Sequence, residues 1–369
     1  MPLTRTDEHH ILADNLRKFL RDHNSPEQRR ERLKDRCPRT RLALWRGLSD
    51  LGILSAAFQE QAGGLAGDAR TIAIIAAELG SSLAVEPFLD CAVIAGHILQ
   101  HADDDEDRTA TIEQLIAGER IIVLAHDSGL DPFARPLLTA RREAKRFVLN
   151  GTVRCVHDAD LAQEYLVSAY DGTHTIVIRT PAALAGLMVE SNRLMDDSSA
   201  ADLHFRDVRL PTTAELRLDE PPEDVIAGAL EHGLAGVAAE TVGIVGALNR
   251  ATFQYLMTRK QFGVSIGTFQ ALRHRAADMY TAARGLESVV DLALDAMAAP
   301  RSPARSSCVS AAKAEADRVG TLIGHEAIQM HGGMGVSDEL IISHYGRRLA
   351  TIRTQLGNAD VHRLRFGAL

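Results

Sequence analysis

The sequence predicts a mainly α-helical chain with a β domain at its centre, and three observations carry that prediction. Apolar residues recur at helical spacing from the N-terminus to about Gly118. Between there and about Pro221 the texture changes to short runs rich in Val, Ile, Thr and Phe, separated by Gly, Pro and Asp. Past Glu223 helical spacing returns and lasts to the end. Composition agrees: of 369 residues 46% are hydrophobic but only 4% aromatic, so Ala, Leu, Val and Ile carry the apolar fraction. Ala and Leu cost little in a helix, whereas β-branched and aromatic residues favour strands. At roughly 150 residues per domain the length suggests two or three units, here 1–118 helical, 119–221 β and 222–369 helical.

In the first unit the helical positions are Leu44, Trp45, Leu48, Leu51 and Leu54, then Ile72 to Leu79, then Val93, Ile94 and Ile98. Gly63 and Gly64 interrupt them, and HADDDEDR at 101–108 reads as a solvated acidic turn between helices. In the second unit RIIVLAH, PLLTARR, RFVLNG, EYLVSAY, HTIVIRT and ADLHFRDVRLP read as strands, with Asn150-Gly151 as a turn pair ending the third. In the last unit the helices are expected to end at Gly263, near Pro300 and at Gly332, and Glu231 is expected in a first helical turn, stabilised by the dipole.

Charge and cysteine usage exclude several function classes. Lys plus Arg number 41 against 49 Asp plus Glu, a formal charge of −8 with both signs scattered, so nothing offers the positive face that nucleic acid requires. Cys37, Cys91, Cys155 and Cys308 stand far apart with no CxxC pair, which argues against a disulfide framework and a zinc site. No signal-peptide pattern opens the chain, and the long apolar stretch from Ile226 is broken by Glu231, His232 and Glu240. A cytoplasmic protein without a membrane span is the expectation. GxxxxGK[ST], HExxH, GxSxG and GxGxxG are all missing, and each of the fifteen histidines stands without a ligand-like pattern.

Two segments stand out. Arg259-Lys260-Gln261-Phe262-Gly263 is followed by Gly267-Thr268-Phe269-Gln270, and Gln329-Met330-His331-Gly332-Gly333-Met334-Gly335 closes a later helix. Taken singly, Gly263 and Gly332 read as helix C-caps and Arg259 as a complement to a helix end. A fork-shaped Arg and paired glycines with bare N–H groups also suit a pyrophosphate.

Taken together, these segments resemble the RxxFG and QxxGGxG motifs of the acyl-CoA dehydrogenase family. LWRGLSDLGILSAAFQEQAGGLAGDARTIAIIAAELG is similar to that family's LGxLG…PExxGG…ELG pattern, and FVLNG and LHFRDVRLP to its LNG strand and FxxVRVP exit. The resemblance spans nearly the whole chain. It implies an acyl-CoA dehydrogenase-like fold, with an N-terminal helical domain, a middle β barrel or sandwich and a C-terminal four-helix bundle. It also implies a flavoenzyme of lipid metabolism. A carboxylate takes the α-proton of an acyl-CoA thioester, the β-hydrogen leaves as hydride to FAD, and electrons pass to an electron-transferring flavoprotein.

The family's flavin lies at a subunit interface and is held by two chains. The resemblance implies that Arg259, Phe262, Gln270, Gln329, Gly332 and Gly333 contribute to a neighbour's flavin. The half that a chain gives its own flavin is eroded. HDSGLDPFARP stands where TEPxxGSD is usual, and Val153, Cys155, Val156 and His157 follow LNG where Lys and Trp-Ile-Thr are usual. The usual positions of the catalytic base fall on Leu356 and Gly233, neither of which can abstract a proton. Glu240, seven residues after Gly233 on the same expected helix, is a reserve base, or else a helix carboxylate paired with an interdomain arginine. The leading expectation is therefore one subunit of a heteromeric acyl-CoA dehydrogenase, completed by a paralogous chain and acting on a bulky acyl-CoA such as a steroid side chain. Two readings stand beside it: a self-sufficient homotetramer using Glu240 or another carboxylate, and a non-enzymatic scaffold.

Overall fold

The structure is a computed structural model that describes residues 3, 6–34, 42–103 and 106–368. Cys37, Asp104 and Asp105 lie outside the described residues. Among the described residues the first helices are α1 (Asp7–His23), α2 (Pro26–Lys34), α3 (Ala43–Asp50), α4 (Ala69–Ser81), α5 (Gly96–Gln100) and α6 (Glu106–Ile116). A π-helical segment, Phe88–Ala95, runs into α5. Seven strands follow: β1 (Ile122–Ala125), β2 (Thr139–Glu143), β3 (Arg146–His157), β4 (Glu164–Tyr170), β5 (Thr175–Pro181), β6 (Leu187–Arg193) and β7 (Ser199–Pro211). The chain then forms α7 (Pro222–Thr258), the short pair β8 (Lys260–Gln261) and β9 (Val264–Ser265), α8 (Gln270–Met297), α9 (Pro303–His331), α10 (Ile341–Ile352) and α11 (Ala359–Ala368). Along the chain, helices precede and follow the strands, in the order the sequence predicts.

By contacts the described chain forms two compact units, Met1–Glu31 with Ala69–Val85 and Leu234–Leu369, and Arg32–Asp68 with Glu86–Gly233. The first is helical. Its α4 buries Arg70 and every residue from Ile72 to Gly80, and crosses α7 at small residues. A Cβ on Gly243 would lie 1.9 Å from the Ala77 carbonyl oxygen, and one on Gly80 2.6 Å from Glu240 Cγ. Only glycines admit this approach. The buried Glu78 accepts from the half-exposed Arg17 Nη2 at 2.5 Å, and the buried Lys313 is paired with Asp317 at 2.5 Å inside α9.

The second unit holds one seven-stranded mixed sheet in the order β1-β4-β2-β3-β7-β6, with β5 also pairing β4. Six of its strands fall on the six runs expected. The seventh, β6, pairs with β7, and most of its residues are exposed and polar, so it lacks the apolar run that marks a strand. Asn150-Gly151 does not end β3. The strand continues to His157 and is bulged there, with Gly151 at φ 132° and Asn150 bonded to Asp207 on β7. A second register shift falls between Val153 and Val156, where Cys155 adopts φ 53°.

Two expectations in the last helical region are corrected. The helix of Glu231 begins at Pro222, so Glu231 is an interior residue, fully buried, and not a first-turn carboxylate. Gly263 does not cap a helix: α7 ends at Thr258, and Phe262-Gly263, both at positive φ, form the two-residue loop joining β8 to β9. Gly332 does cap α9, donating its N–H to the Gln329 carbonyl. Helix α7 is long and apolar enough to cross a membrane, but 94% of its most apolar window is buried inside the protein, as in a core helix.

Candidate functional site

The residues singled out in the two glycine-containing segments gather at one end of the helical unit. Helix α7 finishes there, and the β8–β9 loop folds back on its last turn: Ser265 Oγ donates to the Leu256 carbonyl (2.7 Å) and Ile266 N to the Arg259 carbonyl (2.9 Å). Gly267 makes the return possible, since a Cβ there would meet the Leu256 carbonyl oxygen at 2.9 Å. Helix α8 starts at Gln270 and runs antiparallel to α9, the two tied by Arg275 Nε to Glu326 at 2.6 Å. Tyr255 of α7 and His331 of α9 stack face to face, with centroids 4.4 Å apart and planes at 27°.

Arg259, Phe262, Gln270, Gln329, Gly332 and Gly333 are all exposed at this end. Phe262 is 91% exposed and meets Phe269 edge to face at 6.2 Å. The Arg259 guanidinium makes no hydrogen bond or ion pair among the described residues, so its charge is not spent within the chain. At Gly332 the φ of 60° with ψ −144° requires glycine. Gly333 has no positive φ, and a Cβ built on it would meet nothing within 4 Å. The chain's own packing therefore gives no reason for glycine at 333. An exposed guanidinium, two exposed side-chain amides and the N-terminus of α8 together suit an anionic group.

The expected base positions carry no base. Gly233 is buried in α7. Leu356 is half-buried at φ 57°, its carbonyl accepting from His362 Nε2 at 2.9 Å. Glu240 is the carboxylate of a buried bidentate ion pair: Arg348 Nε donates to Oε1 at 2.6 Å and NH2 to Oε2 at 2.8 Å, each side chain 8% exposed. Its partner sits on α10, in the same compact unit, 108 residues along the chain.

In the β unit, HDSGLDP satisfies itself. Arg154 Nε reaches Asp127 Oδ2 at 2.6 Å, Gly129 N–H donates to Asp127 Oδ1, and Ser128 Oγ donates to the Asp131 carbonyl. Burial alone would raise the Asp127 carboxyl, but the Arg154 and Gly129 hydrogen bonds hold it below the ordinary range. His126 donates Nε2–H to the Pro132 carbonyl at 2.9 Å and accepts from Ser168 Oγ at 2.7 Å; burial lowers its pKa and keeps it neutral. Cys155 N–H donates to Asp202 Oδ1 at 2.8 Å, and burial and then Asp202 push the thiol up. A cavity of about 310 Å³ opens beside this loop, between Phe133, Arg135, Tyr170 and the Ile226, Ala227 and Leu230 face of α7.

Sequence patterns match this architecture at both ends. The acyl-CoA dehydrogenase N-terminal domain matches residues 6–119 and the acyl-CoA dehydrogenase C-terminal domain residues 224–368. The chain belongs to the acyl-CoA dehydrogenase family. As a member it is an oxidoreductase acting on acyl-CoA, in a family that generally binds FAD. Acyl-CoA dehydrogenase FadE27 of Mycobacterium tuberculosis is 28% identical over 355 residues, covering 93% of this chain and 91% of that one. Human mitochondrial short-chain specific acyl-CoA dehydrogenase is 26% identical, covering 86% and 79%. Among solved structures, the ChsE4-ChsE5 complex of Mycobacterium tuberculosis superposes with a TM-score of 0.89 at 24% identity, over 100% of this chain and 98% of that one. The Tcur3481-Tcur3483 steroid acyl-CoA dehydrogenase superposes with a TM-score of 0.87 at 25% identity, over 98% and 97%.

Three residues at these places escape sequence reading. Arg348 is invisible because nothing local links it to Glu240. Tyr255 and His331 were legible in principle, one helical turn before Arg259 and directly before Gly332.

Proposed function

We propose that this chain is the half-site subunit of a heteromeric acyl-CoA dehydrogenase, lending the end of its helical bundle to a flavin whose other contacts and catalytic base belong to a paralogous chain. The observation that carries the reading is a division within the molecule. Arg259, Phe262, Gln270, Gln329, Gly332 and Gly333 stand exposed and together, whereas the base positions are Gly233 and Leu356 and the reserve carboxylate Glu240 is consumed by Arg348. Bound FAD would accept the hydride from the acyl-CoA β-carbon. This chain's residues would hold the pyrophosphate by Arg259 and by the bare backbone at Gly332–Gly333, and cover the flavin with Phe262. The Asp127–Arg154 pair, closing the HDSGLDP loop on β3, supports a degenerate site on the chain's own β side.

The substrate class is a bulky acyl-CoA thioester, a steroid side chain in particular, with an electron-transferring flavoprotein as acceptor and the cytoplasm as setting. The similarity to the ChsE4-ChsE5 complex and to the Tcur3481-Tcur3483 steroid acyl-CoA dehydrogenase supports this. The division 1–118, 119–221 and 222–369 is the domain plan that goes with it. The test is colour and turnover. Purified alone, the chain is colourless and inactive; co-expressed with a paralogous chain that supplies the base and the remaining flavin contacts, it yields a yellow, active complex with one flavin per pair of chains. FAD bound in every subunit of the lone protein, with acyl-CoA turnover, would overturn the reading.

A further inference from the structure

The two motifs lie at the ends of different helices, and between those helices stand two residues that neither the RxxFG nor the QxxGG pattern specifies. Tyr255 lies four residues before Arg259, on the same face of α7, and His331 immediately precedes Gly332. Between Arg259 and Gly332 the backbone runs through the β8–β9 loop and the full lengths of α8 and α9. The loop moves with α7, because Ser265 Oγ and Ile266 N bond to the last turn of α7 and to Arg259. Near the tip, α7 and α9 meet in the Tyr255–His331 stack, 4.4 Å between centroids.

His331 is built to hold one orientation. It is 5% exposed, and its Nδ1 lies 2.8 Å from the Ala327 carbonyl oxygen one turn back. A carbonyl only accepts, so Nδ1 carries the proton and the ring is fixed both in rotation and in tautomer. Tyr255, half-buried, offers its ring face to that fixed plane. A rigid imidazole at the base of a glycine turn, clamped by an aromatic ring from the helix that carries the arginine, transmits the position of one motif to the other.

We infer that Tyr255 and His331 form a positioning pair that keeps the Arg259 guanidinium and the Gly332–Gly333 backbone at the separation needed to grip one pyrophosphate from two sides. Neither residue is assigned contact with the flavin. The inference rests on the half-site reading above.

The test uses the co-expressed complex and measures FAD affinity, by absorbance at equilibrium after dialysis, beside the unfolding temperature of the lone chain. Tyr255→Leu, and Tyr255→Met as a second variant of similar bulk in case the first fails to fold, weaken FAD binding tenfold or more while the lone chain unfolds within a few degrees of wild type. Tyr255→Phe, which keeps the ring face, restores wild-type affinity. The inference is overturned if a folded Leu or Met variant retains FAD as wild type does, or if Phe binds no better than Leu. Arg259→Ala runs in parallel: loss of FAD there together with retention in Tyr255→Leu sinks the positioning pair alone, and retention in both sinks the half-site reading with it.

Discussion

At the scale of single residues, Glu240 decides how much chemistry this chain performs. A general base needs a lone pair directed at substrate, and both carboxylate oxygens of Glu240 accept from Arg348 inside the helical core. Removing one member of a buried, hydrogen-bonded ion pair leaves the other charge without compensation, which costs about 3–5 kcal/mol. Glu240→Gln is therefore expected to lower stability by roughly that amount in denaturant unfolding, while turnover of the assembled complex, measured where the variant is folded, stays within about twofold of wild type. Loss of a true base would cut kcat by about 10² to 10⁴. A drop of that size with unchanged stability would return Glu240 to the active site. The residue also marks a limit of sequence reading. Its place on the helix and its need of an arginine were legible, but the identity of Arg348 was not, because nothing local in the sequence links it to Glu240.

Elements were legible where one local rule governed them and misread where tertiary contact overrode it. Among the recognised strands β1, β4 and β5 are mostly buried apolar runs and β3 and β7 carry buried stretches, whereas β6 is held by pairing with β7 and has Glu190, Ser191, Asn192 and Arg193 exposed. Asn150-Gly151 has the composition of a hairpin turn, but the hydrogen bonds of Asn150 to Asp207 turn it into a bulge. Of the candidate site, the exposed motif residues were legible and the packing beneath them was not. Glycines make the same distinction testable. Gly243→Ala places a methyl 1.9 Å from the Ala77 carbonyl oxygen and should cost at least about 3 kcal/mol or prevent folding. Gly285→Ala, exposed inside α8 with nothing within 4 Å, should add about 0.5–1 kcal/mol. Gly333→Ala is expected to leave unfolding of the lone chain unchanged and to reduce FAD retention in the complex. Wild-type retention would show that the surface at 333 is not covered by cofactor.

At the scale of the whole molecule, acidity is the variable that reaches several buried groups at once. His126 in the β unit and His331 and His344 in the helical unit are each lowered in pKa by burial. Each donates to a carbonyl, that of Pro132, Ala327 and Asp338 respectively, which offsets part of the lowering by burial, and His344 Nδ1 also accepts from Arg29 and Arg347, whose charges lower it further. An imidazole that resists protonation when folded contributes its full stability above its unfolded pKa, about 6.5. Below that pH the unfolded chain takes up protons that the folded chain refuses, so stability falls. The slope is at most about 1.4 kcal/mol per pH unit for each such ring. Two buried carboxyls oppose this: burial raises both Glu287 and Asp317, which favours the folded state as pH falls. Asp127 and Asp338 are lowered and act only in the carboxylate range, near pH 4 and below. The unfolded pKa of the rings, about 6.5, lies inside the range from pH 7.5 to pH 5.5 and that of the carboxyls, about 4, lies below it, so the unfolding temperature at fixed ionic strength should fall across that range. Scanning calorimetry over that range checks it, and replacing His126 with Gln, which removes one ring, should shallow the fall. A midpoint that is level or rises on acidification would mean that Glu287 and Asp317 outweigh the imidazoles.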